Sequence, residues 1–263
     1  MTIRVRNPPV RLEGVPRHWF GGSPVATHLA NGVGILFPAG ERFFVRSVRH
    51  YMDRLGNEPR LVDDVRLFFG QEGRHANAHD RHIELLEAQG YQVRGFLALY
   101  ERLAFGVIEP IAPPALRLAA TVACEHFTAI MADNALSLGL LDAAHPTMKA
   151  LYKWHAAEEI EHKSVAFDVL AKVAPGYGLR MAGLAVATVL LAGFWVAAAT
   201  HLLRQDVRAG RVSWRGLDEL RRLRTEHPIH RRVFGRGLAE FTRRGFHPSQ
   251  NDNAHLAEAY LST

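Results

Sequence analysis

Four glutamates lie inside stretches that otherwise read as packed helix. Glu41 precedes FFV, Glu72 sits in FFGQEGRHANAH, Glu125 in ATVACEHFTAIM and Glu159 in WHAAEEIEHKSVAFD. Two of them carry a histidine three positions on, Glu72 with His75 and Glu159 with His162. The order along the chain is therefore Glu, Glu-x-x-His, Glu, Glu-x-x-His, one element per expected helix. A carboxylate buried without a partner is costly, so a fold that keeps four of them must bring them to a common partner. That requirement restricts the topology more than any other feature.

Periodicity and punctuation read helical nearly throughout. Helices are expected from Pro38 to about Leu55, Leu61 to about Gln89, Tyr91 to about Glu109, Pro114 to about Leu138, and Pro146 to about Val173, with proline at the starts and glycine at several ends. A long apolar helix follows the PGYG turn, then shorter Arg-rich helices around residues 214–224 and 229–244. No run of alternating β-branched residues and no repeat is present, so the expected class is all-α. The expected architecture is a four-helix bundle with a crossover helix, followed by the apolar helix and the short basic ones. The division this suggests is an N-terminal arm over residues 1–36, a helical bundle over 37–178 and a C-terminal extension over 179–263.

Register tests whether the four acids can meet. Glu41 lies 14 residues before Leu55, and Glu72 lies 11 after Leu61. At 1.5 Å per residue these climbs are about 21 and 16 Å, so an antiparallel hairpin brings both acids to similar heights. Glu125 lies 14 residues before Gly139, and Glu159 lies 13 after Pro146. Both hairpins level their carboxylates, and the helix beginning at Tyr91 fills the crossover between them.

With 16 Glu and 15 His in the chain, one Glu-x-x-His pair is expected by chance, so the paired spacing gains its meaning from the shared height. Carboxylates neutralise and bridge divalent ions, while imidazoles add neutral, directional ligands. The expected metal ligands are Glu41, Glu72, His75, Glu125, Glu159 and His162, with His155 one turn before Glu159 as an added one. His79, Glu158, Asp80 and Asp168 are expected to support them from behind, with Glu161 weighed beside them. The mixed oxygen and nitrogen set predicts two iron ions, with manganese as the alternative. Cys124 is the sole cysteine, which excludes a cysteine-type zinc site and a disulfide framework.

The formal net charge is +6, and 12 arginines against 7 acids from Arg204 onward place nearly all of that excess in the last quarter. No nucleic-acid-binding signature accompanies it. An uncharged stretch begins at Met181 and ends at Leu203, flanked by Arg180 and Arg204. It is long enough to span a bilayer but rich in Ala and Gly, and it reads equally as a buried or oligomer-interface helix or as membrane contact. The first residues lack the apolar core of a secretory signal. A cytoplasmic protein is expected, peripheral or tail-anchored at the inner membrane if residues 181–203 meet lipid, with a homo-oligomer as another outcome of that helix.

FPAGERFF, QEGRHANAH, EHFTA, WHAAEEIEHKSVAFD and the late GFHP resemble the blocks of a bacterial family known as predicted metal-dependent hydrolases, over roughly residues 37–248. The His155, Glu159, His162 run is also similar to that of di-iron arylamine N-oxygenases, and the ligand set as a whole looks like a ferritin-like di-iron site. Glutamates in helix centres favour oxygen chemistry on ligand type and placement. The leading expectation is thus an O2-activating di-iron oxygenase or oxidase, with O2, an electron donor and an unnamed small-molecule substrate, hydrophobic if the apolar helix meets lipid, as partners. The alternatives are a two-metal hydrolase, as the family name implies, and a non-catalytic iron-binding protein.

Overall fold

Proline opens most of the long helices and a left-handed glycine closes several. The structure, a computed structural model, describes residues 2–8, 11–212 and 235–262. Its helices are α1 (Pro24–Gly34), α2 (Phe37–Arg49), α3 (Pro59–Ala88), α4 (Arg94–Glu101), α5 (Glu109–Ile111), α6 (Pro114–Ser137), α7 (Pro146–His162), α8 (Val165–Val173), α9 (Tyr177–Arg208), α10 (Gly237–Phe241) and α11 (Ala254–Leu261). Proline occupies the first turn of α1, α2, α3, α6 and α7, where its missing N–H costs nothing. Gly90 and Gly139, at φ +88 and +63, follow α3 and α6 in the conformation that lets the chain leave a helix end. No strand occurs among the described residues, and the all-α class is what the chain adopts.

Helices α2, α3, α6 and the α7–α8 pair form the bundle. The pairs α2 with α3 and α6 with α7 are the two hairpins, and α2 on α6 and α3 on α7 and α8 close the ring. One end of its interior is apolar, with Phe44, Val65, Phe68, Leu118, Phe127 and Val169 all buried. The polar cluster described below occupies the middle.

Several local expectations are corrected. The arm contains α1, whose PVATHLANGVG sequence has too little apolar contrast to announce a helix; Ser23 caps it by accepting from the Ala26 N–H at 2.9 Å. The crossover is not one regular helix, since Arg102–Ile108 widens into a π-helix between α4 and α5. The helix expected over 146–173 breaks after His162. The helices expected around 214–224 and 229–244 lie largely outside the described residues, apart from α10.

Helix α9 lies across the bundle rather than leaving it, packed on α1 and α6. Small residues permit the close approach. A Cβ on Gly183 would run into the Ala119 backbone carbonyl, closer than real Cβ atoms come, and one on Gly32 would crowd the Ala199 backbone. Gly183→Ala should therefore force the helices apart and cost about 1–3 kcal/mol, the usual range for overpacking. Thermal unfolding followed by circular dichroism should show a melting temperature lower by several degrees, whereas the uncrowded Gly193→Ala should show no such loss. The far end of α9 is fastened by buried Asp206, which accepts from His18 at 2.6 Å, His28 at 2.7 Å, Tyr91 at 3.0 Å and Arg211 at 3.1 Å. Burial would raise this carboxyl, but the histidine hydrogen bonds override it and hold it down at about 2. By length and composition both α6 and α9 could cross a membrane; α6 is mostly buried, while α9 turns Val189 and Val196 outward.

Candidate metal centre

The seven side chains expected as ligands converge at one level of the bundle. Glu41 comes from α2, Glu72 and His75 from α3, Glu125 from α6, and His155, Glu159 and His162 from α7, and none is more than 4% exposed. They form three overlapping groups whose ligand atoms lie within 4.8 Å of one another: Glu41, His75 and His155; Glu72, His75 and Glu159; and Glu72, Glu125 and His162. His162 Nε2 stands 3.2 Å from Glu72, 3.4 Å from Glu125 and 3.6 Å from Glu159. His75 Nδ1 is 3.7 Å from Glu72 and 3.5 Å from Glu159.

These approaches are close yet unsatisfied. Both carboxylate oxygens of Glu41, Glu72 and Glu125, one of Glu159, His75 Nδ1 and His162 Nε2 make no hydrogen bond. Nine orphaned polar atoms around one point are far outside what a native core tolerates without an ion or water. Divalent cations fit this donor set of four carboxylates and three imidazoles, and would satisfy all nine.

Electrostatics give the same answer. Burial first, then the charges of neighbouring glutamates, push Glu41 and Glu72 well above the ordinary carboxylate range; burial chiefly raises Glu125. Burial alone would lower His162, but Glu159 and Glu125 override it and raise this imidazole well above its usual value. Burial would likewise raise Glu159, yet His162 and His155 hold it well below. Burial and His75 push His155 down to about 4. The cluster thus retains protons that cations must displace. Metal binding at neutral pH should release protons, and affinity should rise with pH. Titration calorimetry of Mn(II) binding in two buffers of different ionisation enthalpy should show that release, and binding should weaken markedly between pH 7.5 and pH 5.5.

Each histidine is aimed by a partner on its far ring nitrogen. His75 Nε2 meets Glu158 at 3.0 Å, His162 Nδ1 meets Gln71 Oε1 at 2.8 Å, and His155 Nδ1 meets His79 Nε2 at 2.9 Å. An acceptor behind the ring places the proton there and leaves the other nitrogen's lone pair for the centre. Arg6 braces this outer layer. It donates to Glu158 at 3.3 Å and to both oxygens of Glu161 at 2.7 and 2.9 Å, while Gln71 Nε2 donates to Glu161 at 2.8 Å.

His79 and Glu158 therefore stand behind ligands. Asp80 and Asp168 do not. Asp80 is one residue past His79, so it points about 100° away and pairs with Arg42 on the surface. Asp168 lies on α8 beyond the break and meets His247 at 2.8 Å. Gln71 and Arg6 were not anticipated. Gln71 sits beside a ligand with no polarity pattern to mark it, and Arg6 arrives from a distant arm.

A cavity of about 170 Å³ between α2, α6, α9 and the π-helix touches the cluster at Glu41. Phe37 lines this cavity and packs on the cluster, 4.7 Å from the His155 ring and 4.8 Å from that of His79.

No curated protein and no solved structure matches the chain significantly. One family model does, described as "Predicted metal-dependent hydrolase", over residues 4–252. This match overturns the expectation of an O2-activating oxygenase and favours the hydrolytic alternative. Buried glutamate and histidine can hold ions for either chemistry, so ligand type and placement could not decide between them. O2 and an electron donor belong to that overturned reaction and have no part in hydrolysis. With nearly its whole length matched, the chain belongs to the family of predicted metal-dependent hydrolases.

Proposed function

We propose that the chain is a hydrolase working with two divalent ions, iron or manganese, held by Glu41, Glu72, His75, Glu125, His155, Glu159 and His162. The observation that carries this reading is the set of nine unpartnered atoms converging from four helices, read together with the family match. Cations held there supply Lewis acidity toward a carbonyl or phosphoryl oxygen and acidify water.

The chain's own residues do the rest. Glu72 belongs to two of the three ligand groups and would be shared if both were filled. His155 Nε2 stands 2.9 Å from Glu159 Oε1, so the two are adjacent ligand atoms, and His79 orients the His155 ring from behind. Rings of Phe37, Phe68 and Trp154 pack on the ligating histidines and exclude water from their flanks. Among the seven, Glu41 alone also lines the cavity. Bordering both the centre and the cavity, its carboxylate is placed to take a proton from attacking water and return it to the leaving group.

The test is turnover of ester, amide and phosphoester panels by the full chain loaded with Mn(II) or Fe(II). Hydrolysis of one class, lost with chelator and restored by metal, is the expected result. Stoichiometric metal binding with no hydrolysis of any class would count against the reading.

A further inference from the structure

The cavity beside Glu41 has a distinctive distribution of polar groups. Its walls are apolar, with Phe44, Phe105, Leu190 and Phe194 among them. Most of its polar lining is already occupied. Tyr100 donates to the Leu36 carbonyl at 3.4 Å, and Thr128 donates to the Glu125 carbonyl at 3.0 Å. Glu109 accepts two hydrogen bonds from Arg46 at 3.1 and 2.7 Å. Burial keeps the Cys124 thiol neutral, pushed up to about 12. Two charged lining groups remain. One is Glu41, which belongs to the metal centre. The other is Arg117, which has no ion pair among the described residues and whose Nε is buried without a hydrogen-bond partner.

Arg117 stands well along α6 from the metal centre. Arg117, Ala120, Cys124 and Thr128 line the cavity from one face of α6 at helical spacing. Arg117 precedes Glu125, the α6 ligand, by eight residues, about 12 Å along the helix. An arginine whose buried nitrogen lacks a partner calls for an anion. An apolar passage between it and the metal cluster calls for a hydrocarbon segment. An apolar cavity of about 150 Å³ takes up benzene, so 170 Å³ accommodates roughly seven carbon atoms.

We infer that this cavity is the substrate site and that it takes an amphiphilic anion: a carboxylate, sulfonate or phosphate held by Arg117, a hydrocarbon segment of roughly seven carbons, and the hydrolysable ester or amide at the Glu41 end. Hydrolysis adds water across the C–O or C–N bond, with hydroxyl going to the acyl carbon and a proton to the departing oxygen or nitrogen. The inference rests on the hydrolase reading for the bond broken but not for the ligand bound.

Binding tests it without turnover. Heptane-1-sulfonate is a poor metal ligand, so its heat of binding to the Mn(II)-loaded full chain reports the cavity rather than the ions. Sulfonate should bind more tightly than heptan-1-ol, and heptyltrimethylammonium should not bind. Arg117→Gln should weaken sulfonate by about tenfold or more while leaving heptan-1-ol unchanged. Arg117→Lys should keep the preference for sulfonate over the ammonium. Ala120→Leu, which fills the cavity, should weaken sulfonate and alcohol together. If Arg117→Gln leaves the sulfonate-to-alcohol ratio unaltered, or if none of the three probes binds the native chain, the inference is overturned. Sulfonate bound through Arg117 by a chain that hydrolyses nothing would keep this inference and discard the hydrolase reading; hydrolysis without Arg117-dependent binding would do the reverse.

Discussion

Glu72→Ala should leave the chain unable to hold a pair of metal ions. Glu72 belongs to two of the three ligand groups, with His162 at 3.2 Å and His75 at 3.7 Å from its Oε1. Removing a group behind a ligand costs about 10–100-fold in metal affinity, and removing the shared carboxylate itself should exceed that. Metal analysis after gel filtration should find at most one ion per chain. The more telling variant is Glu72→Gln, which keeps the volume and removes the charge. Burial and Glu125 raise the Glu72 pKa above its unfolded value. A carboxyl with a raised folded pKa favours folding below its unfolded pKa, and that benefit disappears as pH climbs through the folded one. At neutral pH without cations the native Glu72 is thus a burden. Glu72→Gln should melt at a higher temperature than the native chain in chelator, and at a lower one with Mn(II) present. Equal shifts in both conditions would mean that the carboxylate has no business with a cation.

Glu41→Gln should separate chemistry from metal content. Glu41 belongs to only one of the three groups, and its Oε1 stands 3.8 Å from His155 Nε2. Most of the donor set is intact without it, so metal content should stay near native. Hydrolysis should nevertheless fall by about a hundredfold to ten-thousandfold, the usual worth of a positioned proton carrier. The pH–rate profile should lose the limb that reports the Glu41 carboxyl. Unchanged turnover would assign the proton to another group.

The parts of this architecture that were legible in the chain were those carried by local rules. Proline-opened helices and the equal heights of Glu41 with Glu72 and of Glu125 with Glu159 follow from rise per residue, and the structure brings these four acids together. What local rules do not carry was missed. The apolar period runs unbroken through 146–173, so nothing announced the break after His162; it accompanies Lys163 reaching Asn251 and Asn253, 88 and 90 positions away. A π-turn adds one residue per turn, which a 3.6-residue pattern over seven positions cannot reveal. Asp80 and Asp168 were drawn in as acids near ligands, but phase and the break point them elsewhere. The reaction class was not legible in the ligands at all, because an iron or manganese site made of the same side chains serves more than one chemistry.

The brace supplied by Arg6 also has a history in time. It joins positions 155 apart, so on the ribosome the first partner emerges long before the second exists. Closing so long a loop costs only slightly more than closing a short one, but it cannot happen until residue 161 has been made. The wall behind His75 and His162 is therefore completed late in synthesis. His155, Glu159 and His162 belong to the same stretch as Glu161, so the centre and its cover become possible together, and no ion meets a full ligand set before the partners of Arg6 exist.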